Sequence, residues 1–460
     1  MTDQRQGPIT TFLLSSPEIV FVSYAIFASF STYFCMYAFR KPFAAATFAG
    51  LQFFGTTIKL KKAIVVSQII GYALSKYAGI KICSEISPHK RLFTLVFLIL
   101  FAESSLIIYG ILPNNYKVFA IFLNGIPLGM VWGLVVWYLE GRRTSELLLA
   151  GLSCSFILAS GIVKDFGRAV MGGVVAEWWS KIPLLGTIIS RLMGEVSEGW
   201  MPAVVGLHFC PFFFISVWLL NQLPQPTESD IEARTERETM DGPERLSFLK
   251  HFLLGIFLLC IAYFFLTAYR DYRDNYQVEI FNELGYVYED NKTIITQAET
   301  IVAFGVICAL ALVYLIKNNR LGLIGAYGIM VSGILLMGVS TILLDAKILD
   351  GFWWMTLVGL GAYLTYVPYG SVLFDRLIAH TKYVGTAVFV IYVADAVGYT
   401  GSISVQIYED LFAGDKTGVL GFFRTLTYLM SIVGTFCLLG SCLYFLNRGA
   451  DTVIREGQNE

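Results

Sequence analysis

"IVFVSYAIFASFSTYFCMYAFRKPFAAATFAGLQFF" (residues 19–54) decides the class of fold. From Ile19 to Phe39 the residues are almost wholly apolar, enough for an α-helix to cross roughly 30 Å of hydrocarbon. Arg40 and Lys41 then enter the same apolar stretch, which runs on to Phe54. Of the 460 residues 56% are hydrophobic and 15% charged, and the apolar ones gather in runs of about twenty, the length of a spanning helix. A soluble chain of this size would carry far more surface charge. The composition therefore describes an all-α membrane protein with many spans. A net charge of -1 gives no reason to expect nucleic acid. The cysteines at 35, 83, 154, 210, 260, 308, 437 and 442 show no CxxC spacing and no Cys/His cluster, so neither a metal site, a cofactor nor a disulfide framework is called for. "MTDQRQGPITTFLLSSPE" lacks a short apolar core before a cleavage site, which makes the segment from Ile19 a retained first helix rather than a signal peptide.

Hydrophobic periodicity predicts twelve spans, at roughly 17–49, 63–82, 91–112, 117–140, 146–163, 201–221, 247–275, 296–317, 321–344, 352–374, 383–405 and 419–447. A charged, proline-bearing linker at 222–246 separates residues 1–221 from 247–460, and each part holds six spans. The basic loops "SPHKR" (87–91), "EGRRTSE" (140–146), "KNNR" (317–320) and "DRLIAHTK" (375–382), with the linker and the tail carrying Arg448 and Arg455, fall on one side. The positive-inside rule makes that side cytoplasmic, with both termini inside an inner, plasma-membrane protein. Residues 164–200, containing "AVMGGVVAEWW", "IPLLGTIISRLMG" and Arg191, form a long outer connection expected to hold interfacial helical pieces. Residues 274–294 are expected to extend the seventh helix beyond the outer face.

The halves echo each other. "AFRK" (38–41) and "AYRD" (268–271) give the same pattern 230 residues apart, and "YLEGRR" (138–143) and "LFDR" (373–376) each close a fourth helix with an acid and an arginine. Two parallel six-helix repeats are the major facilitator arrangement, with substrate near the midplane.

Charges inside spans then become informative, because a cation at mid-span costs about 2.5–3.5 kcal/mol unless it faces a cavity or a partner. The bland reading of Arg40, Lys41 and Lys76 is snorkelling to the headgroups. The apolar continuation past Lys41 favours an inward-facing Arg40, with Lys41 at the edge. Position alone leaves Lys76 evenly balanced between the two readings. Arg270, Asp271, Arg273 and Asp274 crowd the seventh helix in "YRDYRDNY". Arg270 and Asp274 share a face at i,i+4 spacing, so internal pairing is the plain alternative to a site. A guanidinium keeps its charge and forks onto phosphate or carboxylate oxygens. One arginine from each half would clamp a small anionic substrate. Asp395 in "IYVADAVGYTG" is a further mid-span acid.

"YAFRKPFAAATF", with Tyr37 ahead of the Arg-Lys pair, and "GYALSKYAGIKICSEISPHKRLFTLVFLILFAESSLIIYG" resemble the first helix, and the second helix through the third, of the organophosphate:phosphate antiporters of the major facilitator superfamily. The resemblance implies that Arg40, Lys76 and Arg270 line a phosphate site, and it turns Lys76 from an even choice into a ligand. It covers about 75 residues of the first half. Where that family has a fifth-helix histidine, "LSCSFILASGIVKDFG" offers Lys164, and Asp271 and Asp274 have no counterpart.

The leading expectation is a monomeric secondary transporter of an organic anion working by alternating access. Glu140, Arg142, Arg143, Asp375 and Arg376 would pair and part at its cytoplasmic side; their bland reading is ordinary loop charge. A proton-coupled carrier of a non-phosphorylated substrate, using Asp271, Asp274, Asp395 or Lys164, is the alternative. A transporter-like receptor ranks below both. No nucleophile–base pair or phosphate-cradling glycine loop suggests an enzyme.

Overall fold

The computed structural model describes residues 7–87, 90–181, 186, 196–226, 230, 242–287, 289–381, 387–409 and 418–448. Most of the linker expected at 222–246, most of "IPLLGTIISRLMG" with Arg191, and Pro88, His89, Lys382 and Arg455 lie outside the described residues. Twelve long helices occupy the described chain. They are α1 Glu18–Arg40, α2 Leu60–Glu85, α3 Arg91–Ile111, α4 Lys117–Val136, α5 Ser145–Met171 and α6 Met201–Leu220, then α7 Leu253–Asn275, α8 Ile294–Tyr314, α9 Asn319–Asp345, α10 Gly351–Ser371, α11 Ala387–Tyr408 and α12 Gly418–Asn447. Among the described residues nine helices are long and apolar enough to cross a membrane, or ten when α10 and the segment Leu373–Thr381, bent from it by 50°, count as one span.

The chain divides into two compact units. The first takes Met1–Ala233 and Tyr286–Gln297, the second Arg234–Gly285 and Ala298–Glu460. The stretch 286–297 belongs to the first unit although it follows α7 in the chain. Its anchor is the Asp165 carboxylate of α5, which accepts from the Thr296 backbone N–H and hydroxyl, both at 2.7 Å. That carboxylate satisfies donors at the start of α8 that the helix itself cannot.

Three boundaries depart from the sequence expectation. The first helix stops at Arg40 instead of running to 49, because Pro42 has no N–H to continue the helical ladder and its ring crowds the preceding turn. A short 3-10 turn, Pro42–Ala45, follows. Phe48 then adopts a left-handed φ of 49°, and the Glu198 carboxylate holds this bend by accepting from the Thr47 and Phe48 N–H groups. The fifth helix continues past 163 to Met171, so Lys164, Asp165 and Arg168 lie within it, and Arg168 pairs with Asp165 one turn back. The seventh helix ends at Asn275 instead of extending outward; a separate helix, Gln277–Glu283, buries Val278, Ile280 and Phe281. Of the outer connection, Val174–Ser180 is a short helix whose Trp179 donates to His208 of α6 at 2.9 Å.

Within the first unit α2 and α4 meet backbone to backbone. A Cβ on Gly71 would lie 2.2 Å from the Phe122 carbonyl oxygen, and one on Gly125 would lie 2.6 Å from the Gln68 carbonyl oxygen. Small residues permit this approach, the usual means of helix association where hydrocarbon surrounds the protein.

Candidate functional site

The close α2–α4 contact sets the position of a polar brace at the C-terminal end of α1. The Gln68 side-chain amide donates to the Arg40 carbonyl at 2.8 Å and to Asn124 Oδ1 at 3.0 Å. The Asn124 amide in turn donates to the carbonyls of Phe39 (3.0 Å) and Ala102 (3.1 Å). Four helices, α1 to α4, are thereby tied together beside Arg40. Helix ends leave carbonyls without intrahelical partners, and here two side-chain amides supply the donors.

Arg40 is only 6% exposed and Lys41 only 3%, so neither snorkels out of the unit even though the helix ends between them. The Arg40 guanidinium lies over the Tyr72 ring, 3.8 Å from its centroid, and reaches the Tyr37 hydroxyl at 3.5 Å. The Lys76 ammonium approaches the same Tyr72 ring at 5.6 Å. Arg40, Lys76 and Tyr37, singled out in the sequence, thus gather around one tyrosine that was not. An aromatic series continues from there: Tyr33 against Tyr37 and Trp132, and Trp132 against Phe156. Lys164 is fully buried on α5.

In the second unit, Arg270 stands over the Tyr366 ring at 4.0 Å. Its carboxylate partner is Asp271, at 2.6 Å, and not Asp274, the i,i+4 neighbour expected from the sequence. The second Asp271 oxygen accepts from Ser402 of α11 at 2.7 Å. Helical spacing places 270 and 274 on one face, but a contact from α11 fixes the rotamer of the adjacent acid and brings it to the guanidinium. Asp274 is buried at the last turn of α7. Asp395 accepts from Tyr263 at 3.0 Å, and the Tyr263 ring stacks on Tyr366. A cation on a tyrosine face with acids behind it is therefore the local pattern around Arg270.

Arg273 is placed differently. It is 2% exposed, pairs with Glu299 of α8 at 2.7 Å and donates to the Met355 carbonyl at 2.9 Å. Gln277 donates to the same Glu299 oxygen. These are frame contacts made by a substrate-ligand candidate.

Arg142, Arg143 and Arg376, expected to pair at the cytoplasmic side, contact a carbonyl, a carboxylate and a side-chain amide. In the 137–144 connection Arg142 donates to the Pro224 carbonyl and lies over the Phe21 ring at 4.8 Å. Burial draws its guanidinium below the ordinary arginine value, and the neighbouring Asp230 opposes that shift. The Arg143 N–H donates to Asp230, and Arg376 reaches the Asn319 side chain at 3.1 Å. Glu140 and Asp375 sit at the foot of α4 and the start of Leu373–Thr381.

Sequence reasoning also passed over Glu103. It lies inside the apolar run of α3, 4% exposed, and among the described residues neither of its carboxyl oxygens has a hydrogen-bond partner. An acid inside twenty apolar residues was the available signal. Among the described residues no group of three His, Cys, Asp or Glu side chains could hold a metal ion.

The fold is similar to that of solved transporters. A bacterial homologue of the human lysosomal transporter Spinster, inward-facing and unoccupied, aligns at TM-score 0.60 with 12% identity, over 93% of this chain and 98% of that one. A D-xylose–proton symporter aligns at 0.59 with 13% identity, over 93% and 97%. The fucose–proton symporter of E. coli aligns at 0.55 with 12% identity, over 94% and 99%. At these identities the likeness establishes the fold alone, the twelve-helix major facilitator fold. No curated protein matches the sequence. A family model described as a family of unknown function (DUF5690) matches residues 42–448. The chain accordingly belongs to the DUF5690 family.

Proposed function

We propose that this protein is a secondary transporter moving a small organic anion, foremost a phosphorylated metabolite, by alternating access. The observation that carries the reading is the convergence of Arg40 and Lys76 on Tyr72. Two cations gathered on one ring concentrate positive charge in one place, and an anion held there would meet both. Arginine adds a bidentate fork suited to phosphate or carboxylate oxygens, and lysine adds a point charge. Arg270 on Tyr366 serves as the anion group of the second unit, with Asp271 as its counter-ion in the empty protein. The resemblance of 37–48 and 71–110 to the organophosphate:phosphate antiporters supports a phosphorylated ligand. The fold likeness to named transporters supports transport itself.

The test is a thermal-shift panel of purified protein against inorganic phosphate, sugar phosphates, dicarboxylates and polycarboxylates, followed by uptake in proteoliposomes. A ligand at 100 times its Kd stabilises the folded form by about 2.7 kcal/mol. Arg40→Lys and Arg270→Lys keep the charge but lose the fork, so both should abolish uptake in folded protein. Normal uptake in either variant removes that arginine from the anion site.

A second reading, proton-driven movement of a substrate without phosphate, draws on the Tyr263–Asp395 hydrogen bond and on the similarity to the xylose–proton and fucose–proton symporters. Uptake driven by a proton gradient and indifferent to phosphate on the far side would select it.

A further inference from the structure

Glu103 on α3 is the least accounted-for ionisable group of the first unit. Its carboxyl packs where α3 crosses α6, and only a glycine there leaves it space: a Cβ on Gly206 would come 2.0 Å from Oε2 and 3.1 Å from the Phe39 ring. Among the described residues both oxygens are without a hydrogen-bond partner. An ionised carboxylate so placed would be an uncompensated buried charge, so the arrangement suits the neutral acid.

The ionisable groups around it do not supply a counter-charge. From α6 the Cys210 thiol interacts electrostatically with Glu103, and His208 is engaged with Trp179 and the Val204 carbonyl. From α4 the single cation, Lys117, donates to the carbonyls of Tyr109 and Leu112. From α1 the Phe39 ring borders the same glycine, Gly206, and the neighbouring Arg40 lies over Tyr72.

Phe39 is also a member of the brace. Its carbonyl and that of Ala102, the residue before Glu103, share the Asn124 amide, while the Arg40 carbonyl is held by Gln68. Any movement that hydrates Glu103 must part its carboxyl from Gly206, beside which the Phe39 ring also packs. It therefore acts on the helix end that carries Arg40.

We propose that Glu103 is a proton-binding site of this transporter, coupled through Phe39 and the Gln68–Asn124 brace to the anion patch at Arg40. The O–H bond of the neutral acid breaks, its proton passes to water, and the carboxylate left behind displaces the end of α1 and weakens anion binding. Reprotonation from water reverses each step. The proposal rests on the reading of Arg40 and Lys76 as anion ligands.

Two measurements on the full chain test it, with Glu103→Gln as an isosteric mimic of the protonated state and Glu103→Asp as a second variant that keeps an acid. Infrared difference spectra of wild type against Glu103→Gln should show a carboxylic-acid C=O band, shifted in D2O, that the variant lacks and Glu103→Asp retains at an altered frequency. Sulfate, doubly charged throughout the range used, then serves as the probe anion in thermal-shift titrations from mildly acidic to mildly alkaline pH. In wild type its affinity should fall as pH rises, by up to about tenfold per pH unit, the limit for one linked proton. In Glu103→Gln sulfate should bind with that dependence gone. Absence of the band overturns the proton site. A band together with unchanged pH dependence in Glu103→Gln overturns the coupling. A band with no sulfate binding to either protein counts against the anion reading while supporting the proton site, so the two failures are distinct.

Discussion

Replacing Arg273 by methionine should unfold this protein long before it reveals anything about substrate. The side chain is 2% exposed and its partner Glu299 1%, so Arg273→Met strands a buried carboxylate against which only Gln277 still donates. Breaking one side of a buried ion pair costs about 3–5 kcal/mol, and the Met355 carbonyl loses its guanidinium donor as well. Adding Glu299→Gln removes the stranded charge while keeping an acceptor for Gln277. The double variant should then fall short of wild type by about 1–3 kcal/mol, the penalty for one unsatisfied buried group. The assay is thermal or denaturant unfolding in mild detergent, followed by helical circular dichroism, on all four members of the cycle. The single variants should be the least stable and the double variant should recover. A single Arg273→Met variant that unfolds like wild type yet loses transport would refute the argument and return Arg273 to the ligand site.

Asp271→Asn should tighten anion binding by roughly tenfold, because a charge-assisted bond of about 1.5–3 kcal/mol no longer competes for Arg270; Asp274→Asn should change it less, and equal effects in a thermal-shift titration with sulfate would reject the assignment of Asp271 as counter-ion. Gly206→Ala should cost about 1–3 kcal/mol by overpacking against Glu103, and Glu103→Ala in the same chain should relieve that loss; an additive pair of melting shifts would argue against the contact. Asp165→Ala should cost more than the roughly 0.5–2 kcal/mol of a lost cap at Thr296, because it also removes the carboxylate paired with buried Arg168, as read from unfolding in detergent. A topology with both termini in the cytoplasm predicts that single cysteines at 235 and 455 are shielded in intact cells while one at 290 reacts with an impermeant thiol reagent; labelling at 235 would overturn it.

The helices themselves were written plainly in hydrophobic runs, and that is why their number and the inward Arg40 could be foreseen. What was not legible followed from short-range rules overruling hydropathy. Pro42 ended the first helix inside an apolar stretch, and the Asp165–Arg168 pair carried the fifth helix on through charged residues. The choice of Asp271 over Asp274 depended on Ser402, 131 positions away, and no local pattern contains that contact. Tyr72 and Tyr366 were missed because an aromatic residue in an apolar helix looks like packing until a guanidinium is found over it. Glu103 was visible as a single acid in α3, but its significance lies in the lack of a partner, a property only three dimensions reveal.

The seam at Gly71 and Gly125 separates two kinds of heritable change in this protein. Any side chain at either position would strike main chain, so variation there should be purged whatever the protein binds. Tyr72 and Lys76 ride on the same helix one and five residues beyond Gly71, yet their side chains contact the patch and not the seam. Residues such as these can therefore change without loosening the frame. Diversity across related chains should concentrate in the side chains gathered at Arg40, and the glycines of α2 and α4 should stay fixed while that diversity accumulates.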